Sequence, residues 1–274
     1  MKQTDPKQPA CRIASALFTR YADAIRHYDG DPLSPSLHIA SDGPLSVFYA
    51  PFDVVNPEAR VVLLGITPGK SQANRALIEA RAQLQRGASP FAAIRAAKST
   101  GAFAAGMRKN LVAMLDHIGL AQRLELPSCA ELFDKSAHLL QTASALPFPV
   151  FHQGENYNGN PDLTRSPFLR TMVLEHFVPL LAALPNAIYV PLGPVPGKLL
   201  QWLSLEGRLT ASQILAGLPH PSGANAERIA YFLGAKPRHA LSAKTDPDKL
   251  DQALAQLRNR VIQIDSGQLK NLLR

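Results

Sequence analysis

The sequence predicts an α/β fold with a mainly parallel sheet, and two observations carry that prediction. Short apolar runs alternate with segments of helical spacing along most of the chain, which is the pattern of strands joined by crossover helices. Four of these runs lead into loops that contain proline. Ligands of open α/β sheets bind beyond the carboxyl ends of the strands, so these stiff loops are one place to expect a site. The alternative for this feature alone is that the prolines only end the strands.

The four apolar runs are the predicted core strands. The first, Arg60–Ile66, reads RVVLLGI and has the continuous apolar character of a strand buried on both faces. The others follow helical sequence: Ala137–Thr142, Ala187–Leu192 and Gln213–Leu218. A further strand is expected at Leu45–Ala50, at an edge, after a loop over Asp29–Pro44.

Helices are predicted around these strands from the spacing of apolar residues. They are expected at Arg12–His27, Ser71–Gln85, Phe103–Gly119, Pro167–Leu184, Gly197–Leu203, Gly223–Leu233 and Asp248–Val261. The length of 274 residues fits a single domain, residues 1–274. Its core would span about 45–235, with an N-terminal helix at 10–28 and a basic helical extension at 236–274.

Composition and charge narrow the class of protein. Two cysteines, Cys11 and Cys129, exclude a disulfide scaffold, an all-cysteine zinc site and a four-thiolate iron–sulfur cluster. We expect a cytoplasmic protein without a signal peptide, a membrane span, a metal or another cofactor. The formal charge of +8 concentrates in two blocks, with +7 over residues 70–110 and +4 over residues 236–274. Such blocks are typical either of a rim that follows a phosphate backbone or of solvated helix faces.

The first motif is Leu64–Ser71, which reads LGITPGKS after a predicted strand. It is one residue shorter than a P-loop, and Pro68 lacks one of the backbone N–H groups that a phosphate cradle needs. A nucleoside triphosphatase and a plain strand-to-helix turn both remain open for this segment alone.

The second motif is Leu218–Asn225, which reads LPHPSGAN between a predicted strand and a predicted helix. The two flanking prolines restrict the backbone of His220 and favour an imidazole that faces the sheet edge. Ser222 is suited to cap the helix or to donate a hydrogen bond to a phosphate.

As a pair, Gly65–Gly69 and His220–Gly223 resemble the two motifs of the uracil-DNA glycosylase superfamily. Their order, separation and strand–turn–helix settings fit. The resemblance covers roughly Val47–Gly234 in layout and is specific in these two segments. It implies a three-layer α/β/α sandwich around a four-stranded, mainly parallel sheet, and excision of a base that is flipped out of DNA.

The resemblance also implies roles for individual residues. His220 would donate a hydrogen bond to the departing base, and Thr67 would position the attacking water. The remaining residues of the first turn would hold the substrate: Gly65, Ile66, Pro68 and Gly69. The DNA backbone would be bound by Lys70, Ser71, Ser222, Gly223 and Asn225, and by the basic rim.

The chain departs from the superfamily pattern at two places. Thr67 replaces an Asn, Asp or Glu, and its hydroxyl can hold a water but cannot act as a general base near neutral pH. Thr142, or else Ser144, occupies the place of the Asn that reads the base, so uracil is not certain as the substrate.

A substitute reader of the base is available in the segment 154–160, which reads GENYNGN. Tyr157 would stack on the base and Asn158 would read its edge; the alternative is an Asn/Gly-rich surface turn. Phe148 and Phe151 are further stacking candidates, with buried packing as their alternative use.

Three functions therefore remain open. The first is a monofunctional DNA glycosylase that acts on a damaged or modified base, as a monomer with DNA as its partner. The second is a binding protein that retains the pocket without the chemistry. The third is a nucleotide-handling α/β enzyme, for which paired carboxylates are missing: Glu155 is the one acidic residue near a predicted strand-end loop.

Overall fold

The computed structural model describes residues 16–101 and 105–264, and it is a mixed α/β structure. Its strands are β1 (His38–Asp42), β2 (Leu45–Phe48), β3 (Val61–Gly65), β4 (Leu140–Ser144), β5 (Val150–His152), β6 (Glu155–Asn156) and β7 (Ile188–Pro191). Its helices are α1 (Ala22–Arg26), α2 (Lys70–Gln85), α3 (Pro90–Gly101), α4 (Ala105–His117), α5 (Leu120–Arg123), α6 (Pro167–His176), α7 (Val178–Ala183), α8 (Pro194–Leu205), α9 (Ala226–Phe232) and α10 (Pro247–Gln263).

The chain divides into two compact units that alternate along the sequence. In the described residues, the first unit comprises 16–57, 65–101 and 143–183. The second comprises 58–64, 105–142 and 184–264. That the chain forms a single domain stays a prediction.

The first unit contains an antiparallel sheet with the strand order β1-β2-β5-β6. Leu45 of β2 lies opposite His152 of β5, and Val47 lies opposite Val150. The predicted edge position of β2 is wrong, because β1 pairs with its other side. β1 arises within the predicted loop Asp29–Pro44, and its residues are exposed or half-buried, so it carries no apolar run that would have announced it.

The second unit contains the parallel sheet, up to Leu64 of β3 and Thr142 of β4, with the order β4-β3-β7. The first four residues of β3 are fully buried, as its continuous apolar run predicted. β7 pairs with β3 in parallel, with Val61 opposite Ile188. The α/β class and the parallel sheet are therefore confirmed.

The fourth predicted strand, Gln213–Leu218, is wrong in extent. It is reduced to one parallel bridge between Ile214 and Tyr189. Gly217 adopts φ +128°, and a Cβ built on it would lie 3.1 Å from the Cβ of Ala253 on α10. This dihedral angle does not fit a strand, so the chain turns away from the sheet here. Glycine is favoured at the turn because of the angle and the close approach to α10.

Most predicted helices are present with shifted ends. The segment 167–184 is split into α6 and α7, and the segment 223–233 starts as a 3₁₀ turn before α9. Helix α3 was missed, because small residues, Ala93, Ala97 and Gly101, form most of its buried stripe. Residues 12–15 and 103–104 of the predicted helices, and 265–274 of the basic extension, lie outside the described residues.

Candidate functional site

His220 lies on a turn of the second unit and makes a specific pair of contacts with Ser222. Its Nδ1 accepts a hydrogen bond from the Ser222 backbone N–H, at 3.3 Å. The Ser222 Oγ is 3.0 Å from the same nitrogen. Because a backbone N–H can only donate, Nδ1 carries no proton, and the proton of the neutral imidazole lies on Nε2.

The neighbouring groups support this neutral tautomer. Asn225 donates from Nδ2 to the Ser222 Oγ at 3.3 Å, and with Nδ1 of His220 unprotonated the Ser222 hydroxyl is placed to donate its own proton to that nitrogen. Partial burial lowers the pKa of His220, so the uncharged ring is favoured near neutral pH. Among the described residues, the Nε2 of His220 has no hydrogen-bond partner and can donate to a ligand.

Two residues that sequence analysis missed hold the His220 turn in place. Asn110 of α4 donates from Nδ2 to the backbone oxygen of Pro221, at 2.9 Å. Gly193, between β7 and α8, has φ +101°, and a Cβ there would lie 3.6 Å from the His220 Cδ2. Gly193 had a local signal, because it follows a predicted strand and precedes a proline. Asn110 had none, because it is distant in sequence and lies within a predicted helix.

Thr67 lies on the first-motif turn, in the other unit, and its hydroxyl is bound to backbone. Its Oγ1 donates to the oxygen of Phe148 at 2.9 Å and accepts from the N–H of Val150 at 3.1 Å. Since a hydroxyl has one proton and two acceptor lone pairs, one lone pair remains. The side chain therefore connects the turn to the start of β5 and retains the capacity to accept one bond from a water.

The start of α2 contains backbone donors that already have partners. Gly69 donates its N–H to the Oε1 of Gln72 at 3.1 Å, and Lys70 donates its N–H to the Oδ1 of Asn156 at 2.8 Å. Ser71 accepts a bond from Arg75 at its Oγ. A phosphate cradle would need those two amides, so the arrangement does not support a P-loop.

Two of the candidate base readers lie on strand β4. Thr142 and Ser144 of β4 are half-buried, and the Ser144 Oγ is 3.9 Å from where a Cβ of Gly65 would lie. Gly65 and Ile66 accept backbone bonds from Ala145 and Leu146, at 2.9 Å each, so the turn follows the end of β4 closely.

Tyr157 and Asn158 are used within their own turn. Tyr157 is 4% exposed and donates its hydroxyl proton to the oxygen of Pro161. Asn158 is exposed, and its Oδ1 accepts from the N–H of Asn160 at 3.3 Å. To stack on a base, Tyr157 would have to leave this position, so its role and that of Asn158 stay predictions.

The remaining aromatic and DNA-binding candidates are placed as follows. Phe148 and Phe151 are buried in the first unit, in line with their alternative use in packing. Pro68 is buried as well, whereas Gly223 is exposed with open space around its Cα.

Fewer cations of the predicted basic rim are available to DNA than the net charge of the two blocks indicates. Arg81 donates to the backbone oxygen of Tyr28, and Lys98 donates to that of Val54 at 2.7 Å. In the second block, Lys236 pairs with Glu227 at 2.7 Å, and Arg238 pairs with Asp248 at 2.6 Å. These four cations are bound to acceptors within the protein. A count of charges along the sequence includes them, because their partners are close only in the fold.

A half-buried pair of ionisable groups in the first unit, Asp53 and Lys98, was also missed. Asp53 accepts from the hydroxyl of Tyr49 at 3.4 Å, and its other carboxyl oxygen is buried without a hydrogen-bond partner. Burial raises the pKa of Asp53 to about 7 and lowers the pKa of Lys98 to about 7. No local pattern identifies this pair, since its members are 45 positions apart and one lies on the missed helix α3.

Metal and membrane features can be stated for the described ranges, 16–101 and 105–264. They contain no group of three or more histidine, cysteine, aspartate or glutamate residues that is suited to hold a metal ion. No helix in them is both long enough and apolar enough to cross a bilayer.

The chain is similar to a protein of Bacillus subtilis (strain 168) described as "Uncharacterized protein YoxB". The two are 35% identical over 205 residues, which cover 74% of this chain and 80% of YoxB. No family model matches the chain, and no solved structure matches it. Identity at this level over most of both proteins shows common descent, and the chain belongs to the family of YoxB.

Proposed function

We propose that the chain is a monofunctional DNA glycosylase of the uracil-DNA glycosylase type. It would hydrolyse the N-glycosidic bond of a flipped damaged or modified base, with uracil as one candidate. The observation that carries the proposal is the geometry of the His220 turn, in which Nδ1 accepts from the Ser222 N–H and lies 3.0 Å from the Ser222 Oγ. In the neutral ring this arrangement leaves the proton on Nε2, where it is available to a ligand. The two resembling motifs, both on strand-to-helix turns, add support.

The finer fold is part of the same proposal. A glycosylase of this type has a three-layer α/β/α sandwich around a four-stranded parallel sheet. The order β4-β3-β7, with Ile214 bridging to the outer side of β7, is compatible with that arrangement. We also expect the protein to act as a monomer in the cytoplasm.

The proposed reaction uses His220 as a hydrogen-bond donor. The bond between the sugar C1′ and the base nitrogen breaks, and its electron pair stays on the base. Negative charge then develops on a base oxygen, and the Nε2–H of His220 stabilises it. The oxygen of a water bonds to C1′, and the proton it loses balances the charge of the released base. The products are an abasic site and the free base.

Thr67 has a limited part in this chemistry. Its hydroxyl proton is already donated to Phe148, so it can only accept a bond from the attacking water. It orients that water and does not deprotonate it. The rate must therefore come from His220 and from a bond that breaks before the water attacks.

A second function has one observation in its favour. The Thr67 hydroxyl is bound on both sides by the backbone of Phe148 and Val150, as expected of a structural threonine. A protein that binds DNA without excising a base would need nothing further from this residue. The two functions differ in whether an abasic site forms.

The test is a panel of duplex and single-stranded oligonucleotides with uracil, hypoxanthine, mismatches or modified pyrimidines. We expect abasic sites on at least one substrate, and a loss of roughly 10²-fold or more in rate for His220→Ala, as for removal of an oxyanion donor. The matched control is His27→Ala, which removes an exposed histidine of the other unit.

Two outcomes would contradict the proposal. Excision by His220→Ala at the wild-type rate would remove the proposed role of His220. DNA binding without product on any substrate would favour the second function.

A further inference from the structure

The segment Lys236–Thr245, which we call the basic segment, is held against α9 by one carboxylate. Glu227 accepts hydrogen bonds from four donors: Lys236 Nζ at 2.7 Å, Ser242 N–H at 3.2 Å, Ser242 Oγ at 2.6 Å and Thr245 Oγ1 at 2.6 Å. The bonds from Lys236, Ser242 and Thr245 hold the pKa of Glu227 far below its usual value. The carboxylate therefore stays charged, and the segment has a defined course.

The basic segment is connected to the His220 turn through Arg228. Arg228 donates from Nη2 to the backbone oxygen of Lys244 at 3.1 Å, and from Nη1 to the Oδ1 of Asn225 at 2.9 Å. Asn225 donates to the Ser222 Oγ, which contacts Nδ1 of His220. One continuous run of hydrogen bonds thus joins Lys244 to His220.

The charges along this run are of two kinds. Lys236 and Arg238 are paired with carboxylates, those of Glu227 and of Asp248 and Asp251. Arg228 and Lys244 are exposed, and within the described residues neither pairs with a carboxylate. The two recorded partners of Arg228 are uncharged oxygens, so its positive charge is not compensated.

We propose that Arg228 and Lys244 bind a phosphate of the DNA strand that carries the excised nucleotide, and that Glu227 is the positioning residue for them. This inference rests on the proposed function. Arg228 uses two of its five N–H donors within the protein, which leaves donors for a phosphate oxygen. Lys244 adds a second positive charge whose backbone is fixed beside that guanidinium.

The test measures the affinity of a duplex oligonucleotide by fluorescence anisotropy over a range of salt concentrations. Arg228→Gln and Lys244→Gln should each reduce the slope of log affinity against log salt, and the double variant should reduce it by roughly 0.9, the value of the one phosphate contact that they share. Arg238→Gln and Lys135→Gln remove the same charge from a carboxylate-paired and from another exposed position. Both controls should leave the slope near that of the wild type. An equal effect of all four substitutions would overturn the proposal, because bulk charge would then explain binding.

A variant of Glu227 tests the positioning role, because bulk charge and lost positioning would change the affinity for DNA in opposite directions. Glu227→Gln makes the protein more positive, so bulk attraction alone would strengthen DNA binding. We expect weaker binding and faster proteolytic cleavage within the basic segment, because the segment loses its charged acceptor. Stronger binding would overturn the role of Glu227.

The inference and the proposed function can fail separately. If Arg228→Gln and Lys244→Gln bind like the wild type while base excision still depends on His220, the phosphate site is wrong and the function stands. If both variants lose affinity but no substrate of the panel is cut, the phosphate site stands and the glycosylase is wrong.

Discussion

Single hydroxyl groups in this protein have different chemical uses because of their partners. Ser222 and Thr67 both lie on turns that follow strands of the parallel sheet or its bridge. The hydroxyl of Ser222 contacts the Nδ1 of an imidazole, which the Ser222 N–H marks as an acceptor, and so helps to set which ring nitrogen carries the proton. The hydroxyl of Thr67 donates to a backbone oxygen and so sets the position of a strand. Residue type alone does not distinguish these two uses.

The first prediction at this scale is the pH dependence of excision under single-turnover conditions. Protonation of His220 would place a proton on Nδ1 and break its bond from the Ser222 N–H. Because partial burial lowers the pKa of His220, and because protonation would break the bond that orients the ring, we expect a constant rate around neutral pH and a decline only in the acid range.

Ser222→Ala provides the companion measurement. Loss of the Oγ–H donor removes a bond that favours the neutral ring, so the midpoint of the decline should move to higher pH. A wild-type rate that already falls with a midpoint above the ordinary pKa of a histidine would contradict the lowered pKa of His220.

At the scale of elements, helix α3 contributes more than its sequence suggests. Ala93, Ile94 and Ala97 form its buried face, and a Cβ on Gly101 would lie 2.7 Å from the ring of Phe52. This close packing brings Lys98 to the oxygen of Val54 in the loop after β2. Lys98 thus links the helix to the loop, and the neighbouring Asp53 acts on its charge.

Substitutions in this pair should show strong coupling in the free energy of unfolding. Lys98→Met removes the donor to Val54 and the positive charge near Asp53, so we expect a loss of stability of up to about 3 kcal/mol, limited because Asp53 can take up a proton when its opposing charge is gone. The double variant Asp53→Asn with Lys98→Met should lose less stability than the sum of the single variants, because no unpaired charge remains buried. Urea unfolding at neutral pH measures all three variants, and strictly additive losses would show that the two side chains do not interact.

At the scale of the whole molecule, local signals predicted the three strands of the parallel sheet but only one strand, β2, of the antiparallel sheet. β3 was predictable because four consecutive apolar residues had to be buried on both faces. The residues of β1 and β6 are largely exposed. β1 pairs with β2 and β6 pairs with β5, so these strands form through pairing that an apolar run in their own sequence does not announce. The same reasoning applies to the site: His220 and Ser222 are neighbours in sequence, whereas Asn110 acts from another helix.

The net charge of +8 also changes meaning once the fold is known. Lys98 and Arg81 serve the interior of the first unit, and Lys236 and Arg238 are paired with carboxylates. A count of charges along the chain therefore overestimates the surface offered to DNA. Arg228 lies in neither predicted basic block, yet it is a stronger candidate for a contact with DNA than several residues within them.

The claim that joins this fold to base excision is that His220 is neutral and carries its proton on Nε2. Nitrogen-15 spectra of the intact labelled protein at neutral pH report this directly, with the ring signals assigned by their absence in His220→Gln. We predict a protonated Nε2 and an unprotonated Nδ1, and an unchanged tautomer in the control His27→Ala. A protonated Nδ1 with an unprotonated Nε2 would contradict the proposed donor and with it the assigned chemistry, whereas an imidazolium at neutral pH would contradict the neutral state.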